Sequence, residues 1–82
     1  MAYPFRVVLS EVQCAELRGL VGAGVAPARM LTRARILHKA NHGDGGLGWS
    51  DAAIAGALDI NASTVLRVRR QFVTQGLVAT LE

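Results

Sequence analysis

The chain has 82 residues, 51% of them apolar and 5% aromatic, and a formal net charge of +3. One small domain is expected, burying about 60–65% of its unfolded surface, with an Ala-, Val- and Leu-built core that suits short packed helices better than a small-molecule pocket. The single Cys14 excludes an internal disulfide and fits a reducing, cytoplasmic setting, no apolar run reaches the ~18 residues of a membrane span, and Met1 to Leu9 lacks the apolar stretch of a signal peptide.

Tyr3 to Leu9 alternate weakly and are expected as a short extended arm (residues 1–9). Ser10, with Gln13 three residues on, has the spacing of a capping box. It opens a helix over about 10–21, with Val12, Leu17, Leu20 and Val21 available for the core. Gly22 and Gly24 end it. Pro27 suits a first helical turn, where its missing N–H is not needed, and a second helix is expected over about 27–41. Met30, Leu31, Ala34, Leu37 and Ala40 lie on its inner side; Arg29, Arg33, Arg35 and Lys39 lie mostly away from it. His42 to Gly48 contains four glycines and reads as a flexible linker. It lacks the spacing, the Lys-Ser/Thr pair and the preceding strand of a phosphate-binding loop.

Ser50 caps a third helix, about 50–58, with Trp49 placed to staple onto Ile54. After a tight turn at Asp59-Ile60-Asn61, Asn61 caps a fourth helix over about 61–75 that stops at Gly76. Leu77 to Glu82 are apolar enough to pack back. The expected class is all-α, a small bundle of about four helices with residues 1–82 as a single domain.

Charge placement adds a function class. Leu17 to Gly43 carry five cations (Arg18, Arg29, Arg33, Arg35, Lys39) and no acid, and Ile60 to Leu81 carry Arg67, Arg69 and Arg70, again with no acid. Acid-free basic helices are the footprint of a binder of phosphate backbones. The last two expected helices have the pattern of a helix-turn-helix. Ala55 is the small residue for their close approach, and Ile54, Leu58, Ile60, Val65 and Val68 supply the apolar contacts. Asp59 stands where the turn needs a left-handed residue, and Asp is among the least penalised non-glycine choices. On the fourth helix Val65, Val68 and Phe72 share one face. The opposite face carries Ser63, Arg67 and Arg70, flanked by Thr64, Leu66 and Gln71. Arg reads guanine edges, Ser and Thr suit phosphates or bases, and apolar groups touch thymine methyls.

Pro27-Ala-Arg-Met-Leu-Thr-Arg-Ala-Arg-Ile-Leu, Trp49-Ser-Asp-Ala-Ala-Ile-Ala and Asn61-Ala-Ser-Thr-Val-Leu-Arg-Val-Arg-Arg-Gln-Phe together resemble the N-terminal DNA-binding region of mariner-like bacterial insertion-sequence transposases. The resemblance extends to Val7-Val-Leu-Ser-Glu and Glu16-Leu, so it covers nearly the whole chain. It implies a homeodomain-like bundle that recognises terminal inverted repeats on double-stranded DNA, at home with the nucleoid. By the same resemblance Ser63, Thr64, Arg67 and Arg70 face DNA, and Arg33 and Arg35 touch its backbone; Asn61 and Arg69 are assigned to the backbone with them. The turn residue Asp59, in place of the family's glycine, and a longer loop at Gly43 to Gly48 depart from the pattern. The metal-holding carboxylates of strand transfer are not supplied by six scattered acids, so no enzymatic activity, cofactor or metal is expected of this chain.

Other readings carry less. His38 and His42 have i, i+4 spacing, but no second ligand pair follows them. Cys14 fits a small core residue. A stand-alone transcriptional regulator would use the same chemistry. A protein-interaction module would instead use exposed Leu66, Val73 or Leu77. A homodimer through the arm is compatible with each of these readings.

Overall fold

The computed structural model describes residues 5–43 and 46–82; the Tyr3 end of the expected arm and Asp44 and Gly45 of the loop fall outside them. Five helices run in the order α1 Glu11–Ala23, α2 Ala28–Ala40, α3 Asp51–Leu58, α4 Ala62–Gln75 and α5 Leu77–Leu81, with no strand among the described residues. The capping box forms as its spacing requires: the Gln13 backbone N–H donates to Ser10 Oγ at 3.1 Å and the Ser10 N–H to Gln13 Oε1 at 2.9 Å. α1 runs two residues past the expected end and stops at Gly24, whose left-handed backbone (φ 65°) only glycine adopts without cost. Pro27 takes the N-cap of α2 rather than its first turn. None of the helices is long and apolar enough to cross a membrane.

α2 is the central element, touched by each of the other four. Ala34, Ile36, Leu37 and Ala40 are buried on it and meet Leu17 of α1, Ile54 of α3, Val65 and Val68 of α4, and Leu77 of α5 in one core. Ile36 joins this core from outside the expected inner side, because α4 packs against that flank. Val12, expected in the core, is 67% exposed instead. It points away from α2, roughly opposite Leu17 by the 100° per-residue helical turn.

The described part of the arm and the loop expected as flexible are both tied down. In the arm, Val7 and Leu9 are buried, the Val7 carbonyl accepts from the His42 N–H at 2.8 Å, and the Leu9 N–H donates to Asn41 Oδ1 at 2.9 Å. Asn41 is buried and also holds the described part of the loop expected as a flexible linker. Its Oδ1 accepts from the Gly43 N–H, its carbonyl accepts from the Gly48 N–H, and its Nδ2 points at Cys14 Sγ, 3.4 Å away. A Cβ on Gly46 would lie 2.1 Å from the Asn41 carbonyl oxygen, so the close approach requires glycine there. A buried amide with this many partners avoids the 1–3 kcal/mol or so that an unsatisfied one costs.

The turn between α3 and α4 is built as its spacing implied. Asp59 sits in the left-handed region (φ 56°, ψ 48°), and the Ile60 N–H donates to the Ala55 carbonyl at 3.0 Å, closing the end of α3. Left-handed backbone costs an ordinary L-residue about 1–2 kcal/mol, and a glycine gives back roughly 0.5–1 in chain entropy, so Asp59→Gly is expected to stabilise by about 0.5–1 kcal/mol. Thermal melting should then rise by several degrees, near 4–8 °C per kcal/mol for a domain of this size. A lower melting temperature would assign the carboxylate a stabilising part that outweighs the backbone.

Candidate nucleic-acid interface

α4 begins at Asn61, whose Oδ1 accepts from both the Ser63 backbone N–H (2.9 Å) and the Ser63 hydroxyl (2.8 Å). That cap fixes the first turn and commits Asn61 Oδ1 and the Ser63 proton locally. From there the helix divides sharply. Val65 and Val68 are buried and Phe72 packs on the core, while Ser63, Leu66, Arg67, Arg70 and Thr74 are exposed. Ser63, Arg67, Arg70 and Thr74 are spaced i, i+4, i+7 and i+11, which lines them up as one outward ridge. Thr74 extends the ridge by a turn beyond the residues expected from sequence, its hydroxyl donating to the Arg70 carbonyl at 2.8 Å. The Arg70 guanidinium also lies 6.0 Å from the centre of the Phe5 ring, bringing the N-terminal segment beside the ridge.

On one flank of the ridge a groove of about 230 Å³ runs between α4 and α2, lined by Thr64, Arg67 and Gln71 on one side and Arg29, Thr32 and Arg33 on the other. Among the described residues no acid lines it. Burial, together with the nearby charges of Arg29 and Arg67, lowers the Arg33 guanidinium below the usual arginine value. Three cations thus converge around Arg33, whose own charge is disfavoured there, an arrangement that an anion relieves.

Three of the side chains that line this groove are also bonded to α5 and the residue after it. Arg33 Nη1 donates to the Thr80 carbonyl at 2.9 Å, Gln71 Nε2 to the Ala79 carbonyl at 3.1 Å, and Arg29 Nη2 to the Glu82 carbonyl. The last carbonyls of a helix have no partner within it and carry partial negative charge, so cationic and amide donors settle there. Arg33, assigned from sequence to the DNA backbone, is half-buried in this contact. Gln71, assigned to base edges, is turned toward α5. Arg35 stands two residues from Arg33, some 200° around α2, and faces α1 and α3 instead of the α2–α4 groove. The expected pair of backbone contacts, Arg33 and Arg35, is therefore split between two faces.

Arg69 is the clearest correction. It was expected to touch the DNA backbone, yet it is 2% exposed. Its Nε and Nη2 clasp the two carboxylate oxygens of Asp51 at 2.7 Å each, and Nη1 donates to the Phe5 carbonyl at 3.0 Å. It binds the first turn of α3 and the N-terminal segment to α4 and presents nothing to a ligand. The signal was present in the periodicity: Arg69 falls four residues after Val65 and three before Phe72, inside the apolar stripe. Arg29, by contrast, is not among the site residues expected from sequence, although its i, i+4 spacing to Arg33 puts both on one side of α2 and both line the α2–α4 groove.

Two short helices joined by a three-residue turn, the second with a buried apolar face and an exposed basic ridge, define a helix-turn-helix, a class of fold that points to a DNA partner. A family model described as a homeodomain-like domain matches residues 27–81, which takes in α2 to α5. The chain belongs to that homeodomain-like family. No curated protein and no solved structure gives a match.

Proposed function

We propose that the chain binds double-stranded DNA sequence-specifically, with α4 in the major groove, and that its natural target is the terminal inverted repeat of a mobile element. The observation that carries the DNA reading is the ridge of Ser63, Arg67, Arg70 and Thr74 standing clear of the core on a helix of 14 residues. At 1.5 Å per residue that helix is roughly 21 Å long, enough to lie along several base pairs of a groove wide enough to admit it. Arg67 and Arg70 supply guanine-reading forks, Ser63 and Thr64 short polar contacts near the N-terminus of α4, and Leu66 an apolar contact for a thymine methyl. In this reading Arg29 and Arg33, on the α2 side of the groove beside the ridge, meet flanking phosphates. The mobile-element target is supported by the likeness of residues 27–37, 49–55 and 61–72 to transposase DNA-binding regions. In this reading the chain's own part is recognition, carried out in the cytoplasm on chromosomal DNA.

Selection of bound fragments from random duplexes tests both levels. An enriched motif is expected, with affinity that falls as salt rises, log K against log salt having a slope near −0.9 for each phosphate neutralised. No enrichment and a flat salt response would remove DNA as the partner. If the motif lies in inverted repeats flanking the gene, the mobile-element target stands. A motif confined to promoter sequence replaces it with transcriptional regulation.

A further inference from the structure

A second basic surface lies between α1, α2 and α3, and among the described residues none of α4 lines it. This groove has a volume of about 450 Å³. Its floor is apolar: Leu17 is buried there, and Val21 and Leu58 are half-buried. Arg18 and Arg35, both exposed, form its rim with His38 and Lys39, and no acid lines it among the described residues. The Lys39 ammonium sits 4.7 Å from the centre of the Trp49 ring, which holds it at the edge.

Cations above an apolar floor match one ligand chemistry better than others. A DNA backbone uses the charges but has nothing to bury against Leu17, Val21 and Leu58. An uncharged apolar segment fills the floor but leaves the cations without partners. An amphipathic helix with apolar anchors at i, i+3/i+4 and i+7 and carboxylates on its flanks uses both. We propose that this groove docks an acidic amphipathic helix of a partner protein, on a surface separate from the α4 ridge. The assignment stands whether or not α4 binds DNA.

The test uses a short synthetic Leu/Glu helical peptide free of Trp, titrated into the full chain. Trp49, the single tryptophan, reports through its packing on Lys39, and amide resonances map the contact. Saturable binding is expected, with shifts gathered at Leu17, Val21 and Leu58. The Arg18→Glu/Arg35→Glu double variant should weaken it by about tenfold or more, since both rim charges are reversed. Both side chains are exposed, and an unchanged circular-dichroism spectrum confirms that the variant is folded. The proposal is overturned if a peptide with Ser in place of Leu binds equally well, because charge alone would then suffice. It is equally overturned if the peptide shifts no resonance in the groove, or if a DNA duplex rather than the peptide shifts the residues of this rim.

Discussion

Replacing Arg67 and Arg70 together by alanine is expected to abolish sequence preference while leaving the fold intact. Each arginine that reads a guanine contributes roughly 1–3 kcal/mol of discrimination, or about 5- to 150-fold in Kd. The two stand three residues apart on one ridge, so their losses need not add in full. Both are exposed, and neither takes part in the core. Arg67→Ala is the cleaner single variant, because Arg70 also approaches Phe5 and its loss would loosen that contact by about 0.5–1 kcal/mol. Fluorescence anisotropy on the selected duplex and on a scrambled one gives the readout. If the double variant keeps the affinity and preference of the parent, α4 is not the reading helix. Arg29→Ala, by comparison, should weaken both duplexes alike and lower the salt slope by about 0.9 if it meets one phosphate.

Asp51→Ala should be strongly destabilising. It leaves the buried Arg69 guanidinium without the carboxylate opposite it, and breaking such a pair from one side costs about 3–5 kcal/mol. The lower end applies, because Asp51 is 25% exposed and water can reach the vacated site. A domain of this length has roughly 4–12 kcal/mol of total stability, so a loss near 3 should lower the melting temperature by about 12–24 °C. Replacing both partners with apolar residues, Asp51→Leu with Arg69→Met, should recover most of the loss, since no charge is then stranded. The double variant also separates two roles for Arg69. As an internal clasp it can be removed with DNA affinity and salt slope unchanged; a slope lowered by about 0.9 would return it to the phosphate backbone.

α5 links these predictions to the groove between α2 and α4. Three donors that sequence alone would offer to DNA or solvent, Arg29, Arg33 and Gln71, are engaged by carbonyls of its last turn and the residue after it. Their energetic effect is shared between holding α5 and meeting an anion. The ridge residues Arg67 and Arg70 carry no such second duty toward α5, which is why the largest binding losses are assigned to them.

The elements of this fold are legible from local chemistry. Ser10 with Gln13, Ser50 and Asn61 start helices because each satisfies backbone N–H groups within three residues. Gly24, Asp59 and Gly76 stop them at positive φ, and the apolar face of α4 follows from the 3.6-residue period through Val65, Val68 and Phe72. The outward ridge of α4 is legible for the same reason, since whatever lies opposite that stripe must face away from the core. Only the tertiary structure decided which polar side chains are spent inside the molecule. Asp51 and Arg69 are 18 residues apart, Leu9 and Asn41 32, Arg33 and Thr80 47. Pairing at such separations depends on how the other four helices close around α2, and no local periodicity encodes that closure. An arginine has the same helix preference whether it meets solvent, a carboxylate or a carbonyl; packing alone separates Arg67 from Arg69, and Arg33 from Arg35.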